Sequence, residues 1–173
     1  PAGPSGVTAL RKVQCTGTYQ RATPIVVATL STGATYTVTA QSSFASSNDT
    51  AVRVSGSGSG AVLAGVAAGG AAIHAIFGSS VTQSAILTAQ AGDAVAVVAS
   101  MALSLGDGGV SGVLYGDSGS AFGSTLSITL DDGTEYSDLH SIDWLDATAV
   151  VSYGSDMDAA VTVDGDGQMT LLD

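Results

Sequence analysis

Apolar and polar side chains alternate at a period of two along several stretches of this chain, the mark of a strand with one buried face. Between Ala34 and Phe44, Tyr36, Val38, Ala40 and Phe44 fall on one side, while Thr35, Thr37, Thr39 and Gln41 fall on the other. Between Asp93 and Leu105, Val95, Val97, Ala99, Met101, Leu103 and Leu105 share a side. In Ser124–Leu130, Leu126, Ile128 and Leu130 alternate with Ser127 and Thr129. Further strands are predicted at Pro24–Leu30, Ala51–Ser55, Ala72–Phe77 and Ser84–Ala89. Turn residues separate these runs at Ser31–Gly33, Ser46–Asp49, Ala91–Asp93 and Gly106–Gly109. Sustained apolar spacing at three and four residues is missing. Many short strands with regular turns predict an all-β sandwich or jelly roll.

The stretch Gly56–Gly70 reads in two ways. It is a loop leading into a strand, or a small-residue strand that lets a neighbour approach closely. The C-terminal segment also alternates. Thr148–Tyr153, Ala160–Val163 and Gln168–Leu172 are strand-like, with tight turns at Asp131–Thr134 and Asp164–Gly167. A small hairpin or meander anchored by Trp144 is expected there.

Composition reinforces the β reading. The chain holds 1 Lys and 1 Glu among 173 residues, and 23 Gly beside abundant Ala, Val, Ser and Thr. Cys15 is the only cysteine, so an intrachain disulfide and a multi-cysteine metal site are both excluded. The N-terminal residues lack a basic start followed by an apolar run, so no signal peptide is expected, and Pro1 is consistent with loss of an initiator Met. The weakly polar run Ala61–Phe77 is too short and too mild to span a bilayer.

Charge divides the chain. Residues 1–130 carry Arg11, Lys12, Arg21 and Arg53 against Asp49, Asp93, Asp107 and Asp117, and are neutral. Residues 131–173 carry ten Asp and Glu135 with no cation, which is the whole net charge of −11. The expected organisation is an N-terminal arm over 1–23, a core domain over 24–130 and an acidic β-appendage over 131–173. Four cations are too few for a nucleic-acid interface. The four lie in the first 53 residues, with Asp49 the only carboxylate among them, so this region suits docking to an acidic surface.

Three segments together resemble the jelly roll shared by the complement globular head and the tumour necrosis factors, a fold also found in phage fibres and capsid decoration proteins. They are Gly33–Ser46, Leu87–Ser100 and Ser120–Leu130: a turn followed by an alternating strand, a Gly-Asp turn leading into alternating Val, and an aromatic and Gly before a closing strand. The resemblance covers roughly 25–130 and leaves 131–173 outside. It implies a homotrimer and a virion structural role. The expectation is a decoration, or cement, protein made in the host cytoplasm. It would bind the major capsid protein on the outer shell through Arg11, Lys12, Arg21 and Arg53, and it would be neither an enzyme nor a membrane protein. The alternative is the receptor-binding tip of a tail fibre, although no shaft segment precedes the domain.

Candidate chemistry is sparse. Gly116–Gly119 reads GDSG, similar to the surroundings of the nucleophilic serine in chymotrypsin-like proteases, with Ser118 as nucleophile, His74 as base and Asp93 as third member. The surroundings of His74 do not match that family, and a turn is the better reading of GDSG. His74, on an apolar strand, reads as a packing residue rather than a zinc ligand. Asp164 and Asp166, with Asp156 and Asp158 nearby, are a weak calcium candidate, since the further spaced ligands and a closing Glu are missing. No cofactor is expected.

Overall fold

A computed structural model describes residues 7–78, 84–105 and 116–172. The chain is all-β and divides into two compact units, Pro1–Val13 with Gly17–Val95, and Gln14–Thr16 with Ala96–Asp173.

The first unit holds β1 (Val7–Val13), β2 (Arg21–Ala22), β3 (Val27–Thr29), β4 (Thr35–Thr37), β5 (Ser42–Ser46), β6 (Val52–Ser55), β7 (Val62–Gly65), β8 (Gly69–Phe77) and β9 (Ser84–Ala96). They form a four-stranded sheet in the order β1-β9-β8-β5, a three-stranded sheet β2-β7-β6 and a hairpin β3-β4. The core lies between the two larger sheets. Leu10, Ile73, Ala71, Ala89 and Ala91 from one meet Val52 and Leu63 from the other, with Tyr19 alongside. This is a two-layer sandwich, and its many alanines let the layers approach closely. Gly65 shows how closely, because a Cβ there would lie 2.5 Å from the Tyr19 Cβ. β5 pairs with β8 in one layer while β6 pairs with β7 in the other, so one long hairpin folds across both sheets.

The second unit holds β10 (Val98–Leu105), β11 (Ala121–Phe122), β12 (Ser124–Leu130), β13 (Glu135–Tyr136), a short helix α1 (Ala147–Val150), β14 (Val161–Val163) and β15 (Met169–Leu171). Its sheets run β10-β12-β13 and β11-β15-β14. Leu126, Ile128 and Leu130 of β12 are buried, as are Leu139, Leu145 and Ala147. Trp144 meets Tyr136 edge to face at 5.6 Å.

Several expectations need correction. The predicted boundary near Leu130 falls inside a sheet, because β12 continues through the Asp131–Thr134 turn into β13, and the units divide near Ala96. The predicted N-terminal arm contains β1, an edge strand of the four-stranded sheet. The strand at 124–130, expected to close the first domain, belongs to the second unit. Ala91–Asp93 is no turn. It lies within β9, where Ala91 pairs with Gly69 and the Asp93 side chain is held by Lys12 and Tyr19. The run Ala34–Phe44 is broken by a 3-10 turn at Thr39–Gln41, which buries Thr39 and leaves Tyr36 and Ala40 outside. The Thr39 hydroxyl accepts from Val26 N, so a buried polar group is satisfied where an outward one was predicted. Thr148–Tyr153 begins as helix rather than strand, because the Asp146 side chain accepts from Thr148 N and caps it. The Gly56–Gly70 stretch resolves into a 3-10 turn at Gly58–Gly60, β7 and the start of β8. The predicted turn at Gly106–Gly109 lies outside the described residues.

Candidate interaction surfaces

The period-two stripe predicted around Met101 is real, but it is open. β10 pairs with β12 so that Met101 stands opposite Ile128 and Leu103 opposite Leu126. Directly opposed residues in an antiparallel pair project from the same face. Ile128 and Leu126 are buried, whereas Met101 and Leu103 are 61% and 56% exposed. Among the described residues β10 is the edge of its sheet, and it carries no charge and no proline, two of the usual guards of an edge strand. A register irregularity between Val98 and Ser100 is the guard that remains. Beside it lies an open hollow of about 270 Å³ lined by Gln14, Cys15, Val97, Val98, Met101 and Val150. Cys15 is exposed in a left-handed turn conformation, φ 66°.

In the first unit the hairpin β3-β4 exposes apolar side chains at Ile25, Val27, Leu30 and Tyr36. Its turn is closed by Leu30 N donating to Ala34 O and Gly33 N to Leu30 O. Gly33 takes φ 85°, a conformation that glycine adopts without strain.

The four cations are placed differently from one another. Lys12 is ion-paired with Asp93 at 2.7 Å and lies over the Tyr19 ring. The hydrogen bond to Asp93 raises the Lys12 pKa, and the same bond lowers that of Asp93. Arg11 donates to Val95 O at 3.4 Å. Arg21 and Arg53 both stand opposite Ala64, one on each side of β7. No spacing in the sequence signals this row; it exists only through strand register.

The serine of the protease-like reading belongs to one unit, and its histidine and aspartate to the other. Ser118 occupies a turn in the second unit, where Ser120 N donates to Asp117 O and Gly119 takes φ 84°. His74 lies in β8 of the first unit, opposite Ala45 and Ile86, and Asp93 is engaged by Lys12 and Tyr19. In the second unit, His140 Nε2 is 2.6 Å from the Tyr153 hydroxyl. Burial, followed by the charge of Asp138, raises the Tyr153 pKa.

The calcium candidate is committed to its own turn. The Asp164 carboxylate accepts from Asp166 N and Gln168 N, closing the connection between β14 and β15. Among the described residues, no three His, Cys, Asp or Glu side chains stand together as a metal site. Among them, too, no helix is long and apolar enough to cross a membrane. No protein-family model and no curated protein matches the sequence, so the reading of its surfaces rests on their geometry and charge.

Proposed function

We propose that this chain is a virion structural protein, a decoration protein that binds the outer surface of an assembled phage capsid as a homotrimer and stabilises it. One observation carries the reading. Met101 and Leu103 extend the apolar face of β12, yet they lie open on an uncharged strand. Covering the exposed part of each such side chain is worth about 1–2 kcal/mol, which is a reward for assembly. Uncovered apolar strand surface suits a protein completed by neighbours.

Arg11 and Lys12 on edge strand β1, with Arg21 and Arg53, are the cations of the shell contact. Binding only to the assembled lattice stabilises that lattice by mass action. The jelly-roll kinship stands as part of the same proposal.

The test is the protein content and heat resistance of virions from the phage that encodes the chain. The chain should be found in purified particles, and stripping it should lower the temperature at which they burst. Its absence from those particles would overturn the reading. Glycan binding by the isolated chain would point instead to a tail-fibre tip.

A further inference from the structure

We propose that copies of this chain bind one another head to tail, with strand β3 of one copy added to the open edge of β10 in the next. The proposal rests on the assembly reading above and names the contact between copies.

The donor is the hairpin β3-β4. Among the described residues, neither strand has a further neighbour in a sheet. Val38 N donates to Val26 O and Leu30 N to Ala34 O, so Val26 and Leu30 turn their backbone groups towards β4. Successive residues of a strand alternate in this respect, so Val27 and Thr29 turn theirs outward. Ile25 and Val27 also share a side-chain face, and they are 74% and 55% exposed. A two-stranded hairpin is marginal in water by itself, and a further strand beside it adds the missing support. Residues 22–48 carry no charge, so pairing there buries no ion.

The acceptor is β10, an uncharged edge strand among the described residues. Gln14 Oε1 accepts from Val98 N at one end, which leaves Ser100–Leu105 as the open length. That length is about 20 Å, the same as the hairpin arm Ile25–Leu30. With Ile25 and Val27 turned to the side of Met101 and Leu103, the apolar face of β12 runs on through β10 into β3. In strand addition of this kind, main-chain hydrogen bonds give affinity and the alternate side chains give specificity.

Charge selects the partner. The first unit carries four cations against Asp49 and Asp93, net +2, whereas all thirteen charged side chains of the second are acidic. Pairing β10 with β10 of another copy would bring two strongly negative units together. Pairing β3 with β10 brings opposite signs together, which favours encounter. Because the two surfaces differ, the contact is heterologous and closes into a ring if the rotation permits. A ring of three is the homotrimer of the assembly reading.

Sedimentation velocity of the full chain, without shells, tests this. The wild type should associate. Ile25→Ser/Val27→Ser and Met101→Ser/Leu103→Ser should each weaken association about tenfold or more. Val27→Pro should do the same, since it removes an outward N–H that the hairpin does not use. These side chains are exposed, and far-ultraviolet circular dichroism checks that the variants fold. Tyr36→Ser, on the other face of the hairpin, should leave association unchanged. Mixing is the decisive arm. The hairpin double variant keeps an intact β10, and the β10 double variant keeps an intact hairpin. At a concentration where neither associates alone, the two together should form a pair. A chain that stays monomeric at every concentration, as it would if the hairpin folded onto its own β10, overturns the proposal. So does a double variant that associates as the wild type does, a mixture that stays monomeric, or a loss in Tyr36→Ser equal to that in Ile25→Ser/Val27→Ser. Sedimentation with shells separates the two readings. A monomer that binds shells removes the contact and leaves the decoration role, and an oligomer that ignores shells does the reverse.

Discussion

The two units use the same strand chemistry to different ends. The first packs its core between two sheets, with small residues such as Ala71, Ala89 and Ala91 allowing tight approach, and leaves Ile25, Val27, Leu30 and Tyr36 of the β3-β4 hairpin open. It holds every cation of the chain. In the second, β12 buries Leu126, Ile128 and Leu130, but its neighbour β10 leaves Met101 and Leu103 uncovered, and every charge is negative. An apolar stripe stabilises a fold only when something lies on it. In the first unit the larger sheets cover one another and the open apolar side chains gather on the β3-β4 hairpin, whereas in the second they lie on the strand beside the core.

The sharpest way to break this comparison is to hollow each core separately. Ile73→Ala and Ile128→Ala should each cost about 2–5 kcal/mol, since both side chains are almost fully buried. Hydrogen exchange should show loss of protection in β8 and β9 for the first and in β12 for the second. If either substitution loosens both units alike, they do not behave as separate units. Gly65→Ala comes next. Its new methyl would collide with Tyr19, and a cost of about 1–3 kcal/mol is expected in chemical denaturation of the first unit. No change there would mean that the two layers are looser than the contact implies.

Met101→Ser/Leu103→Ser should move folding stability by only about 0.5 kcal/mol, because the side chains are already exposed. It should nevertheless lower binding of a hydrophobic dye and weaken shell binding. A large loss of stability would place these residues in a closed core instead.

The smallest effects are in pH. The Asp93 pKa is lowered in the fold, so its contribution is present above the ordinary carboxylate value and lost as pH falls through the lower folded value. The Lys12 pKa is raised, so its contribution is present below the ordinary lysine value and disappears as pH climbs through the folded one. This exposed pair should give the first unit a shallow, salt-sensitive plateau between those limits, flattened in Asp93→Asn. The raised Tyr153 pKa gives the second unit the opposite profile at the acid end: no loss there, but a decline once pH passes the ordinary tyrosine value. Thermal midpoints against pH for the wild type and Tyr153→Phe check this, with the alkaline decline reduced in the variant.

Much of the architecture was legible in residues. The alternation in Ser124–Leu130 became β12 with its apolar side inward, and the turns at Ser31–Gly33, Asp131–Thr134 and Asp164–Gly167 are present. Capping at Asp146 overrode the β-branched run that follows, because one local hydrogen bond settled a marginal choice. The Ala91–Asp93 sequence lost its turn to a thirteen-residue strand, since pairing with β8 and the bonds from Lys12 and Tyr19 reward extension. The apolar side of β10 was visible, but not its exposure. A repeat of two reveals that a strand has an apolar face without revealing what lies against it.

By itself, then, the sequence determined an all-β chain, the positions of most strands and a strong segregation of charge, because backbone preference, alternation and formal charge are local properties. Tertiary structure alone decided where the units divide, which apolar face stays open, and that Arg21 and Arg53 flank Ala64. Those facts depend on strand register and on packing between segments distant in the chain, and neither is encoded in any short stretch of residues.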